Sequence, residues 1–236
     1  MGLRGAISTP SGKRRYVRRL FATIADRYDL ITVVLSYGLD RRWKDRLIGL
    51  AAITSDDRVL DVACGTGDIL LRARQRARFA VGLDVTLKML LQAATKTTPS
   101  PHVVAGDMQE LPFPSSSFTV VTAGYGLRNV PQIEQAIEEI ARVLAPRGRL
   151  LSLDFNRPEH PIVRAVYLTY LTVVGSVLGF LLHRDPDTYR YIPESIRNYP
   201  GAAGVARLLA ERGFTDVRVV PLLGGLMAIH LARRSG

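Results

Sequence analysis

The stretch Arg58-Val-Leu-Asp-Val-Ala-Cys-Gly-Thr-Gly-Asp68 constrains this chain more than any other. A short apolar run that ends in an acid and breaks into a Gly-x-Gly turn is how a parallel α/β sheet meets a nucleoside ligand. Gly65 and Gly67 let the backbone turn tightly and come close to a ligand, as no residue with a Cβ could. Leu70 stands where a dinucleotide-binding turn carries its third glycine, so that pattern fails. Asp68 opposes a diphosphate as well, because its carboxylate would face the anion at the next helix N-terminus. A ligand with an ammonium and a sulfonium would instead be attracted to Asp61 and Asp68, and S-adenosylmethionine carries both.

Strand and helix signals alternate from this point. Strands are expected at 59–63, at 79–83 ending in Asp84, at 102–105 before Gly106-Asp107, at 118–123 and at 149–155. Helices are expected at 69–76, 87–95 and 131–144, the last with Ile133, Ile137, Ile140 and Leu144 on one face. A helix at 203–212 stops at Gly213, where a left-handed C-cap is cheap. The runs 217–222 and 226–232 are joined only by Leu223-Gly-Gly, too short for a crossover, and so form an antiparallel hairpin. The expected class is α/β: a mostly parallel seven-stranded sheet with a terminal antiparallel hairpin and helices on both faces.

In such a sheet ligands bind beyond the carboxyl ends of the strands, near the topological switch point. Three acids fall there. Asp61 ends the first strand and can meet the methionine ammonium directly or through water, with Thr66 and Gly67 lining the turn. Asp84 ends the second and can take both ribose hydroxyls. Asp107 ends the third and can accept from the adenine amino group, with Met108 beside the ring. After the fourth strand, Gly124 and Gly126 permit close approach to the cofactor, and Arg128 and Asn129 supply polar groups.

The 236 residues are read as one domain. A flexible start (1–12) without an export signal precedes an N-terminal helical cap (13–53), the nucleoside-binding core (58–155), a hydrophobic substrate or lid insertion (156–200) and the C-terminal helix and hairpin (203–233). Residues 13–28 read as a basic amphipathic helix, with Val17, Leu20, Phe21, Ile24 and Tyr28 on one face and Arg14, Arg15, Arg18 and Arg19 on the other. Asp40 is expected to cap a helix carrying Trp43, Leu47, Ile48 and Leu50. The uncharged run 165–182 is short for a bilayer span and reads as a buried or interfacial helix. A net charge of +11 attracts polyanions, meaning nucleic acid or an anionic membrane. The one cysteine, Cys64, excludes an internal disulfide and fits its loop as a small residue. His102, His160, His183 and His230 lack metal-ligand spacing, so no metal is expected; His160, just after the fifth strand, is the one placed to reach the site.

Several motifs together resemble a known family. They are Asp61-Val-Ala-Cys-Gly-Thr-Gly-Asp68, Glu110-Leu-Pro-Phe-Pro114, Gly126-Leu-Arg-Asn-Val130, Arg27-Tyr-Asp-Leu30 and Asp187-Thr-Tyr-Arg-Tyr-Ile-Pro-Glu-Ser-Ile196. Over about residues 16–232 the chain resembles the C-methyltransferases of menaquinone and ubiquinone biosynthesis. The resemblance implies a class I methyltransferase Rossmann-like fold. It also implies methyl transfer from S-adenosylmethionine to a ring carbon of a polyprenylated quinol, demethylmenaquinol to menaquinol or the benzoquinol equivalent. Family cofactor positions fall on Thr66, Asp84, the pair Asp107-Met108 and Gly124. Two depart: members often show Asn-Ala at 107–108, and often Ser at 124, where glycine is closer to the menaquinone branch.

Ring methylation requires phenolate stabilisation, positioning of the ring and a proton relay. Arg128 is expected to stabilise the phenolate or orient a water, with Asn129 and Tyr28 placing the ring hydroxyl. The apolar run 165–182 is expected to line a channel for the prenyl tail. Together with the basic first helix it suggests a cytoplasmic protein resting on the anionic inner face of a membrane. Whether it forms a homodimer stays open. Two rivals stay open: an O- or N-methyltransferase of another small or lipid substrate, and a non-catalytic quinone-binding scaffold; a nucleic-acid methyltransferase would lack its acceptor motifs, so no nucleic-acid partner is expected.

Overall fold

The computed structural model describes residues 3–236, without the side chain of Arg4. Seven strands form one sheet: β1 Arg58–Val62, β2 Phe79–Asp84, β3 His102–Ala105, β4 Phe118–Gly124, β5 Leu144–Phe155, β6 Phe214–Leu222 and β7 Met227–Arg234. Their order is β3-β2-β1-β4-β5-β7-β6. The first five run parallel, and β7 lies antiparallel between β5 and β6. The order reverses direction between β1 and β4, which opens a crevice beyond their carboxyl ends.

The helices are α1 Leu3–Ala6, α2 Pro10–Ile24, α3 Tyr28–Leu35, α4 Asp40–Ala51, α5 Asp68–Arg74, α6 Leu87–Thr95, α7 Ile133–Val143, α8 Pro161–His183, α9 Tyr191–Asn198 and α10 Gly201–Glu211. Period-two alternation sends β1 to both faces. Leu60 and Val62 pack against Ile137 and Ile140 of α7 and Val205 and Leu209 of α10. Val59 faces Leu47 and Ile48 of α4 and Leu70 of α5. Each such fully buried aliphatic contributes about 1.5–3 kcal/mol over its exposed state, which fixes the register of the sheet.

The expected class, the hairpin and most element positions are found. Four local expectations are corrected. The start is not free chain among the described residues: α1 forms there, and α2 begins at Pro10 with the Thr9 hydroxyl accepting from the Gly12 amide at 3.1 Å. The helix expected through Tyr28 breaks at the 3-10 turn Ala25–Arg27, and Tyr28 starts α3. Asp40 is the first residue of α4 and caps nothing, because its carboxylate is taken by Tyr125 and Lys44. Leu50 of α4 is exposed while Trp43, Leu47 and Ile48 are buried.

The apolar run lies in α8, whose length and composition would allow it to cross a membrane. Only 28% of its apolar window is buried in the protein. Tyr167, Leu168 and Leu171 pack on Ile196 of α9, whereas Ile162, Val166, Val173, Val177, Phe180 and Leu181 face outward.

Candidate active site

A cleft opens at the carboxyl ends of β1 to β4. Gly65, Asp84, Asp107, Met108 and Gly124 line it, with Val17 and Phe21 of α2 as its roof. The Gly turn is built for approach. Gly67 has φ +83°, and a Cβ there would meet the Ala93 Cβ at 3.2 Å. Gly126, across the cleft, would place a Cβ 2.7 Å from Ala63. A side chain at Gly126 would intrude on the cleft, whereas one at Gly67 would press on α6 behind the turn.

The expected cofactor residues fall into two groups. Asp84 is on the wall; its Oδ2 accepts from the Gly65 amide at 2.9 Å and its Oδ1 from the Thr86 amide at 2.7 Å. Burial raises its pKa against those two donors. Asp107 is also on the wall, with Oδ1 on the Gln109 amide and Oδ2 on the Arg14 guanidinium, both at 2.9 Å. Asp61 is not on the wall. It lies 1% exposed beneath the turn, accepting from the Thr122 hydroxyl at 2.7 Å, and burial raises its pKa to about 7 despite that bond and one from the Leu70 amide. Thr66 and Gly67 also sit behind the wall, the Thr66 hydroxyl donating to Asp29 at 2.7 Å. Asp68 does not offer a free charge to a ligand. It is held between Lys44 at 2.9 Å and Lys96 at 3.0 Å, and although burial works against ionisation the two lysines keep its pKa at about 2. A Cβ on Gly124 would come within 2.4 Å of the Ile69 Cδ1.

A second cavity adjoins the first. Phe21, Tyr28, Tyr125 and Asn129 line both, so they form the partition. Its remaining walls are largely apolar: Leu20 and Ile24 of α2, Ile31 and Leu35 of α3, Trp43, Phe155, Tyr189 and Ile192. Arg128 enters from the turn after β4. Its Nε pairs with Asp154 at 3.2 Å, another guanidinium nitrogen donates to the Ser195 hydroxyl, and the group lies 5.0 Å over the Phe155 ring. Asn129 donates to the Tyr125 carbonyl at 2.7 Å, while its buried Oδ1 has no partner among the described residues. No residue of α8 lines this cavity, which corrects the channel expected from 165–182; the insertion contributes Thr188, Tyr189, Tyr191 and Ile192. His160 is exposed ahead of α8 and lines neither cavity.

Sequence reasoning missed Asp154, Tyr125 and Lys44. Asp154 closes β5 as Asp61 and Asp84 close theirs, so the strand-end acid rule would have found it had it been carried one strand further. Tyr125 donates to Asp40 at 2.7 Å, and Lys44 bridges Asp40 at 2.7 Å to Asp68. The Asp40–Lys44 spacing is visible on a helix, but its buried partner Tyr125, the residue after β4, is not.

A model of the ubiE/COQ5 methyltransferase family matches residues 9–234. The chain belongs to this family. Among curated relatives, the demethylmenaquinone methyltransferase of Thermus thermophilus is 39% identical over 91% of this chain and 100% of its own. That of Roseiflexus castenholzii is 37% identical over 96% and 97%. The ubiquinone/menaquinone biosynthesis C-methyltransferase of Azotobacter vinelandii is 36% identical over 93% and 90%. Solved methyltransferases share the fold at low identity. A SAM-dependent methyltransferase from Thermotoga maritima superposes with TM-score 0.66 at 14% identity, covering 92% of this chain and 99% of its own. One from Mesorhizobium loti gives 0.61 at 18%, covering 84% and 100%. Family membership and fold make this chain an S-adenosylmethionine-dependent C-methyltransferase.

Proposed function

We propose that this member of the ubiE/COQ5 family methylates a ring carbon of a polyprenylated quinol, taking demethylmenaquinol to menaquinol or carrying out the equivalent benzoquinol step. The observation that carries the reading is the unpaired Oδ1 of Asn129, buried where the strand-end cleft meets the second cavity. A buried acceptor without a donor is costly, and a ring hydroxyl held at the partition supplies that donor.

S-adenosylmethionine, when bound in the strand-end cleft, supplies a methyl group activated on a sulfonium. Asp84 and Asp107 hold its nucleoside end, and Asp61 supports the turn from below. Arg128 is always charged and so serves as a stabiliser of phenolate charge, not as a base. Its anchoring to Asp154 and Ser195 fixes it before the ring arrives, so little reorganisation is needed. Burial raises the Tyr28 hydroxyl far above its ordinary range, so Tyr28 keeps its proton and can donate to the ring oxygen. The hydroxyl proton passes to water as the phenolate forms; after transfer the methylated carbon gives up its proton and the ring oxygen regains one, so one proton net goes to solvent. Incubating the protein with methyl-labelled cofactor and short-chain demethylated naphthoquinol or benzoquinol tests the proposal; label appears in a ring, and label in neither ring refutes it.

The apolar second cavity suits a prenyl tail, and the outer surface suits a leaflet source for it. Arg15, Arg18 and Arg19 are exposed on α2, and α8 exposes Val166, Val173, Val177 and Phe180. On this reading the protein is cytoplasmic and rests on an anionic membrane. Neutralising the three exposed arginines lowers co-sedimentation with anionic vesicles; unchanged binding removes the membrane part. Deleting 13–19 would be a poor test, because Lys13 and Arg14 turn inward to the cleft.

A further inference from the structure

Two consecutive residues of α2 grip opposite banks of the strand-end cleft. Lys13 Nζ donates to the Val130 carbonyl at 2.6 Å and the Arg128 carbonyl at 3.2 Å, on the turn that follows β4. Arg14 Nε pairs with Asp107 Oδ2 at 2.9 Å, beyond the end of β3. Val17 and Phe21, one and two turns on, line the cleft between these grips. Apart from Tyr28 of α3 and Met89 of α6, the rest of the rim is the ends of hydrogen-bonded strands and the turns rooted in them, which cannot move without breaking the sheet. By contrast, α2 belongs to no sheet, and it rests on side-chain contacts such as the Tyr16–Tyr191 ring pair at 5.4 Å.

The two grips differ in character. The Arg14 side chain is 53% exposed, and an ion pair that open adds little to fold stability. Lys13 is more enclosed, and burial together with the nearby Arg128 charge lowers its pKa to about 8. Both are placed on the two banks between which a nucleoside would lie.

We propose that α2 is a hinged cover of the donor cleft, with Arg14 a cofactor-site residue that closes over the adenosyl end through Asp107 and Lys13 the latch on the opposite bank. The cover sets how long cofactor and product stay bound, since α2 must lift from both banks before either escapes. This rests on the cleft being the S-adenosylmethionine site. The arrangement also ties the two halves of the enzyme together, because the carbonyls gripped by Lys13 belong to the turn that presents Arg128 to the acceptor cavity.

The test measures equilibrium binding of S-adenosylmethionine and S-adenosylhomocysteine by calorimetry, and dissociation rates by stopped-flow, on full-length wild type, Arg14→Ala, Arg14→Lys and Lys13→Met. Arg14→Ala is expected to raise the dissociation rate roughly tenfold, to raise the association rate as well because the pair also closes the empty cleft, and to leave the melting temperature little changed. Lys13→Met is expected to act in the same direction, and Arg14→Lys to recover part of the loss because a point charge still reaches Asp107. An unchanged dissociation rate in folded Arg14→Ala overturns the cover. Tighter binding in that variant also overturns it, since Arg14 would then compete with the cofactor for Asp107. Wild type that binds neither ligand refutes the donor-site reading itself, which separates that failure from a failure of the cover.

Discussion

The strand-end cleft is walled mainly by a sheet and the turns that leave it, the adjoining cavity mainly by helices. In the first, polar groups are set by strand pairing: Asp84 receives two backbone amides before any ligand arrives, and Asp107 receives one. In the second, Leu20, Ile24, Ile31, Leu35 and Ile192 come from α2, α3 and α9, and only Arg128, with its buried partners, brings a fixed charge. One half is therefore preorganised for a constant small molecule, and the other is a soft enclosure for a variable tail. Four residues form the seam between them, so changes on either side should separate cleanly unless they fall on that seam.

The largest expected effect comes from breaking the charged anchor of the soft side. Arg128→Ala leaves Asp154 buried without its partner, a loss of about 3–5 kcal/mol in chemical denaturation. It also lowers kcat by more than roughly a hundredfold, while the Kd of S-adenosylmethionine stays near that of wild type. If cofactor affinity collapsed as well, the division into two halves would be wrong. Next is Asp84→Asn on the rigid side, which keeps one acceptor for the turn but loses the carboxylate. It should raise the cofactor Kd at least about tenfold, near 1.4 kcal/mol, and leave the quinol KM unchanged.

Tyr125→Phe tests the seam. Loss of its hydrogen bond to Asp40 costs about 1 kcal/mol of stability and should disturb both cofactor Kd and quinol KM, which neither earlier variant does. A separate test is one of pH. The folded pKa of Asp61, raised by burial to about 7, lies above the ordinary carboxylate value, so the folded state holds that proton where the unfolded chain has lost it. Its contribution to stability is full at low pH and is lost as pH rises through about 7. Asp61→Asn should flatten this part of the melting-temperature profile between about pH 4 and 7.

The same contrast explains what could be read from the sequence. Strand ends were legible because period-two runs, glycine turns and terminal acids are local signals: β3 and α6 fall at the expected residues, and Asp84 and Asp107 lie on the cleft wall. The acceptor side was not, because its walls come from segments distant in the chain. Asp40 looked like a helix cap until the hydroxyl of Tyr125, 85 residues away in the chain, claimed its carboxylate. The roles of Lys13 and Arg14 were hidden by the arginines around them, since helical spacing alone put Arg14 on the solvent face. Strand β5 starts at Leu144, earlier than expected, because Leu-Ala-Pro-Arg-Gly reads as a helix end and a turn.

Helix α3 is eight residues long, and both of its surfaces are oily. Ile31 and Leu35 look into the acceptor cavity, while Leu30, Val33 and Val34 look out. A partition this thin ties capacity to solubility: widening the chamber for a bulkier isoprenoid by trimming the inner residues also loosens the outer ones, and making the outside polar puts charge one helix diameter from the guest. Anyone retuning chain-length preference would do better to start at Trp43 or Ile192, which line the same space from α4 and α9 and are not among the exposed apolar residues.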